Sequence, residues 1–129
     1  MTEDHDWEER IRTKYASLFE GYLFGRTIEV RSGWYPVVEW FCEKLLEFKQ
    51  TENNPIQIHQ IKEKFGELTI YLGYNDDSRI DNLIRQATEK SRTVCEICSS
   101  AGQVRYALGW NQTLCDTHYE QELNKEKAD

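Results

Sequence analysis

Apolar residues near the start of the chain recur at helical steps. Trp7, Ile11, Tyr15, Leu18, Phe19 and Tyr22 recur at three- and four-residue steps, which predicts an amphipathic helix ending near Gly21 or Gly25. A second helical pattern follows, with Ser32 as its expected cap. Over Trp34 to Phe48 it places Val37, Val38, Phe41, Cys42, Leu45 and Phe48 on one face, and Pro36 is tolerated in the first turn. Thr51-Glu52-Asn53-Asn54-Pro55 breaks the helix, and the period then changes from helical to alternating. Ile56 and Ile58, then Leu68, Ile70 and Leu72, predict two strands. Lys64-Phe65-Gly66-Glu67 between them predicts a hairpin built on a three-residue loop with a bulge, Gly66 having a positive φ. Asn75-Asp76-Asp77-Ser78 ends the second strand and caps a third helix, which carries Ile80, Leu83, Ile84 and Ala87 to about Ser91.

From residue 95 the chain is organised by cysteines. Cys95 and Cys98, then Cys115 and His118, give Cys-X2-Cys, X16, Cys-X2-His. The two-residue spacing lets both sulfurs of the first pair reach one ion. Three thiolates and an imidazole make the closed tetrahedral set that zinc prefers, with no position left for a reacting water. The site is therefore expected to be structural, with Zn2+ as the cofactor. Between the pairs, Gln103 to Leu108 predicts a strand, Gly109-Trp110-Asn111-Gln112 a turn and Thr113-Leu114 a return strand, with a helix from about Tyr119. Knuckle, hairpin and ligand-bearing helix have a treble-clef-like outline. The whole reads as one α+β domain over 1–129. A helix-helix-hairpin-helix core (1–91), with helices packed on an antiparallel β-hairpin, leads into a C-terminal zinc-finger subdomain (92–129).

A length of 129 residues suits one domain, and four Trp, seven Tyr and five Phe make the chain too aromatic for a disordered polymer. No apolar run approaches a membrane span, and the acidic start is unlike a secretory leader, so a cytoplasmic protein with no membrane partner is expected. The net charge of −7 divides into −3 over 1–20, zero over 21–50, −1 over 51–94 and −3 over 95–129. Two acidic ends flank a near-neutral middle. That balance disfavours broad phosphate binding, which depends on many Lys and Arg contacts.

Catalytic patterns are missing. No Ser-His-Asp order, phosphate-cradling glycine loop or His-Glu-X-X-His is present, and Gln103 to Leu114 has no His of the kind a His-Asn-His nuclease needs there. Cys42 reads as a buried core thiol, and His5 and His59 lack motif context, so a hydrolase built on Cys42 or His59 is a minor alternative. The basic set Lys62, Lys64, Arg92 and Arg105 defines a nucleic-acid-binding alternative, against which Lys62 and Lys64 also read as protection for a solvated hairpin edge. Trp40 is expected in the core. Trp34 and Trp110, each preceded by Gly, together with Tyr35, Lys62, Lys64 and Phe65, are the candidate partner-binding residues.

Gly33-Trp34-Tyr35-Pro36, Ile61 to Leu68, Cys95-X2-Cys98, Gly109-Trp110 and Thr113-Leu114-Cys115-X2-His118 together resemble a family of small uncharacterised bacteriophage and prophage proteins. The resemblance covers about residues 33 to 118 and implies a phage or bacterial cytoplasmic origin and a bound zinc, with no catalytic residue to carry over. The expected function is non-enzymatic: binding to a protein partner, as a modulator or inhibitor of a host or defence protein.

Overall fold

The computed structural model describes residues 6–20, 28–73, 75–106 and 109–128, with side chains up to Lys125 at the C-terminal end. Gly21, Tyr22, Gly25, His5 and Leu108 lie outside these residues. Helix α1 spans Asp6–Lys14, with Asp6, Glu8 and Glu9 in its first turn and Arg12 and Lys14 in its last, a charge order that complements the helix dipole. It is shorter than the apolar repeat predicts. After Lys14 the chain tightens into a single 3-10 turn over Ala16–Leu18, yet Leu18 and Phe19 stay buried. Three residues per turn preserves the i, i+3 step, so the hydrophobic pattern alone does not distinguish the two conformations.

Ser32 does not cap the second helix. Ser32–Trp34 form a 3-10 turn that runs directly into α2 (Tyr35–Glu52), with Trp34 in the cap position and no side-chain cap bond. Pro36 occupies the first turn as expected, and the helix ends at Asn53, left-handed at φ 50°, whose N–H donates to the Lys49 carbonyl.

Strands β2 (Ile58–Lys64) and β3 (Glu67–Leu72) pair antiparallel as the alternation predicts. Their turn differs from the expectation. Lys64 pairs with Glu67, leaving only Phe65 and Gly66 between the strands, at φ 57° and 81°. Two consecutive positive φ values are the mark of a type I′ turn, whose twist suits a hairpin better than the expected three-residue loop. Gly66→Ala would place a Cβ in this left-handed position and 3.2 Å from Asn111. It should cost about 1–2 kcal/mol, read as a lower urea midpoint with an unchanged slope.

A further strand, β1 (Ile28–Glu29), pairs parallel with β2 at Ile28↔Ile61 and Glu29↔Lys62, which makes the three-stranded sheet mixed, in the order β1-β2-β3. Two residues contain no period to read, so this strand has no sequence signature. Helix α3 (Ser78–Ser91) packs along β3. Asp77 caps it, accepting from the Arg79 N–H at 2.9 Å, and the Arg79 side chain holds the Asp77 carboxyl below its usual range. At its far end the Ser91 hydroxyl accepts from the Leu68 N–H (2.9 Å), and the Thr88 hydroxyl donates to the Leu68 carbonyl (2.9 Å). Helix α3 thus satisfies backbone groups that a sheet edge would leave open to another strand.

Trp7, Ile11, Leu18, Trp34, Phe41, Leu45, Ile58, Ile61, Leu68 and Ile80 fill the main core between these elements. Strands β4 (Gln103–Arg105) and β5 (Gln112–Leu114) form a second hairpin, followed by α4 (Asp116–Ala128). Gln112 belongs to the return strand, paired with Arg105, instead of to the turn. A small second core of Cys95, Leu114 and Cys115, with Ile97, Tyr119 and Leu123 against it, lies beneath this hairpin and helix. The protein is α+β, with four helices and two small sheets among the described residues. No helix among the described residues is long and apolar enough to cross a membrane.

Candidate metal centre

Local backbone geometry brings the two ligand pairs together. Cys95 to Ser100 forms a tight knuckle: the Cys95 N–H donates to the Ser100 carbonyl at 2.7 Å, and the Ser99 N–H returns to the Cys95 carbonyl at 3.0 Å. Ser99 takes a positive φ of 73° to make that turn. The second pair begins α4, where the Tyr119 N–H donates to the Cys115 carbonyl (2.9 Å) and the His118 N–H points at the Cys115 sulfur (3.4 Å). Residues 115 and 118 are thus about one helical turn apart and face the same way.

The donor atoms of Cys95, Cys98, Cys115 and His118 all lie within 4.8 Å of one another, an arrangement able to hold a metal ion. His118 presents Nδ1, at 3.6 Å from the Cys95 sulfur and 3.3 Å from that of Cys115. The Cys98 and Cys115 sulfurs are 3.8 Å apart, well beyond the roughly 2.05 Å of a disulfide. The Ser100 hydroxyl and N–H stabilise the Cys98 thiolate and pull its pKa down to about 6, whereas burial pushes the Cys95 thiol up. Cys95 is fully enclosed and Cys98 exposed, so the site opens to solvent on the knuckle side.

Surrounding groups fix the ligands to the rest of the protein. The Glu96 N–H donates to the Thr113 carbonyl (3.0 Å), and the Thr113 hydroxyl to the Gly66 carbonyl (2.6 Å), joining knuckle, β5 and the β2–β3 turn through one buried residue. Arg105 holds the start of α4. Its Nε donates to the Leu114 carbonyl (3.2 Å), its Nη2 meets Asp116 (2.7 Å), and its guanidinium lies 4.4 Å from the centre of the Tyr119 ring. The sequence offers no signal for this role, because an Arg in a strand resembles any exposed cation until the following helix packs on it. Arg105→Ala should lower metal affinity about tenfold, the scale of groups that orient ligands without binding the ion. A competition titration with a chromophoric chelator measures it.

Compared with known proteins, the chain matches no family model, and no curated protein or solved structure is similar to it. Its chemistry must be read from its own side chains.

Those side chains divide the candidate partner-binding residues. Trp34 is a correction: it is wholly buried, and its indole N–H donates to the Val94 carbonyl at 2.8 Å. Its role is to seat the knuckle on α2. Tyr35 is half-buried, stacked on Trp7 at 5.5 Å with Arg10 over its ring. Phe65 and Trp110, by contrast, are 71% and 59% exposed. The turns that carry them abut, since a Cβ at Gly66 would lie 3.2 Å from Asn111. Lys62 and Lys64 lie against the rings of Tyr71 (5.6 Å) and Phe65 (5.8 Å).

The basic set does not form one cluster free to meet phosphate. Arg105 is engaged at the start of α4, and Arg92 lies 3.9 Å from Glu67. Cys42 is fully enclosed, and burial pushes its thiol far above the usual range, the reverse of what a nucleophile requires. His59 is exposed on β2, with its Nε2 facing Gly73.

Proposed function

We propose that the chain is a non-enzymatic, zinc-stabilised protein that acts by binding another protein. In this reading it is a phage-type or bacterial cytoplasmic protein that modulates or inhibits a host or defence protein, as its resemblance to small phage and prophage proteins implies. Zinc is supported by spacing. Tetrahedral bonds of about 2.3 Å to sulfur and 2.05 Å to nitrogen require about 3.8 Å between sulfurs and about 3.6 Å from sulfur to nitrogen. The separations of 3.8 Å for Cys98–Cys115 and 3.6 Å for Cys95–His118 agree with those values, and that of 3.3 Å for Cys115–His118 is somewhat shorter. Four protein ligands complete the shell and leave no position for substrate, which favours a structural role. Knuckle, hairpin and ligand-bearing helix in that order support the treble-clef-like outline.

The observation that carries the binding reading is the pair of abutting turns. Both present a large aromatic residue to solvent, Phe65 from β2–β3 and Trp110 from β4–β5, with Tyr106 also exposed nearby in the chain. Large exposed aromatics on a fixed scaffold are typical anchors of protein interfaces. The scaffold here is the Thr113–Gly66 bond, which fixes one turn on the other. Affinity capture from bacterial lysate tests the reading, with the zinc-loaded chain compared against a Phe65→Ser, Trp110→Ser double variant. One protein enriched at least tenfold by the former and lost by the latter is expected. Nuclease-sensitive capture of nucleic acid would overturn the reading, and binding that falls steeply with salt would mark that rival.

A further inference from the structure

A cavity of about 580 Å³ lies where α1, β1, β2 and the knuckle meet, with the half-exposed Trp110 on its wall. Four glutamates (Glu8, Glu29, Glu63 and Glu96) and two arginines (Arg12 and Arg31) line it, a formal excess of two negative charges. The arginines are engaged: Arg12 lies 3.7 Å from Glu8, and Arg31 3.6 Å from Glu96. Glu29 and Glu63 meet neutral donors, the Gln60 side-chain amide and the Gly66 N–H. Glu96 and a further wall residue, Gln112, are 5% and 4% exposed, and among the described residues Glu96 Oε2 and Gln112 Oε1 have no hydrogen-bond partner. A buried acceptor left without a donor is destabilising, so a site with two such acceptors and surplus carboxylate favours a guest rich in donors.

We infer that this cavity receives an arginine side chain from the partner protein, an inference that rests on the protein-binding reading above. A planar guanidinium carries five N–H donors, suited to Glu96 and Gln112 together, and one positive charge for Glu29 and Glu63. It also stacks on indole, which Trp110 offers at the wall. The buried Arg12 Nε, likewise unpartnered, is a donor in the same wall and matches a backbone carbonyl beside the guest side chain. That last group favours a peptide segment over a free cation.

The test titrates the full-length, zinc-loaded protein with acetyl-Gly-Arg-Gly amide, following the Trp110 indole N–H by NMR, with Trp110→Phe for assignment. A saturable shift is expected, at least tenfold weaker for the uncharged citrulline peptide and at least tenfold weaker for agmatine, which has the guanidinium but no peptide. Glu63→Gln keeps an acceptor for the Gly66 N–H and removes one charge; it should weaken the arginine peptide at least threefold without altering the rest of the spectrum. Equal binding of the citrulline peptide, equal binding of agmatine, or an unchanged affinity in Glu63→Gln each overturns the inference. A protein captured through Phe65 and Trp110 with no response to the arginine peptide overturns the cavity inference alone and leaves the wider reading standing.

Discussion

Cys98→Ser is expected to abolish stoichiometric zinc binding and to unfold the C-terminal third of the protein. The reason is a difference in scale. The small core under the second hairpin buries Cys95, Leu114 and Cys115, with Ile97, Tyr119 and Leu123 only partly covered. A fully buried aliphatic or aromatic side chain contributes about 1.5–3 kcal/mol, and ordering each residue costs on the order of 1–2 kcal/mol in backbone entropy alone. So few apolar residues cannot order the stretch from Val94 to α4. Zinc binding in modules of this kind supplies on the order of 10 kcal/mol or more, as much as the whole stability of many domains. Removing one of the four ligands removes most of that. Metal analysis should give well under one zinc per chain, and NMR should show amides of residues 95–125 collapsing into the unfolded range while those of α2 and β2 stay dispersed. Cys42→Ala is the control: that thiol lies in the main core away from the ligands, and zinc should stay at one per chain. Full zinc in Cys98→Ser would contradict the ligand assignment.

What the sequence made legible follows from which physical signals are local. The Cys95, Cys98, Cys115 and His118 cluster was readable because metal spacing is a short-range constraint, two residues within each pair, and the fold then closes the X16 gap. Helix α3 and the paired strands were readable because their periods run over many residues and their cap, Asp77, is adjacent. The signals that failed lie between elements. Ser32 had the chemistry of a cap, but the preceding 3-10 turn moved the start of α2 to Trp34 and Tyr35. Trp34 stood at a predicted boundary, where an aromatic residue resembles an anchor; the main core encloses it, and its indole N–H is held by the Val94 carbonyl, 60 residues away in sequence. Arg105 and Thr113 likewise gain their roles from partners in other segments. Glu96 was silent because a Glu between two ligands looks solvated, whereas Thr113, Arg31 and the cavity wall surround it. Burial there pushes its carboxyl up to about 7.

Gly33→Ala should separate the two halves of the protein without emptying the metal site. A Cβ at residue 33 would lie 2.3 Å from the carbonyl oxygen of Cys95 and 2.3 Å from the carbonyl carbon of Glu96. Both are backbone atoms of the knuckle, and neither can rotate away as the tip of a long side chain would. Ordinary carbon contacts need about 3.5 Å or more, so the knuckle must lift from the start of α2 by roughly an ångström. Three hydrogen bonds cross that seam. The Gly33 N–H donates to the Glu96 carbonyl at 2.9 Å, the Ser99 hydroxyl to the Gly33 carbonyl at 2.7 Å, and the Trp34 indole to the Val94 carbonyl at 2.8 Å. Overpacking alone costs about 1–3 kcal/mol, and each stretched bond adds about 0.5–1.5 kcal/mol, so a total of about 3 kcal/mol or more is expected. For a chain of this length that is a fall of roughly 10 °C in Tm. The knuckle and the first turn of α4 hold Cys95, Cys98, Cys115 and His118, and neither contains residue 33, so zinc should remain at one per chain. Trp34 gives the second readout, since water reaching its indole shifts its emission to longer wavelength. An unchanged Tm in Gly33→Ala would mean that the knuckle does not rest on α2 in solution. Loss of zinc would mean that docking and ligation form one cooperative step, because the strain at residue 33 would then have travelled to Cys95 and Cys98.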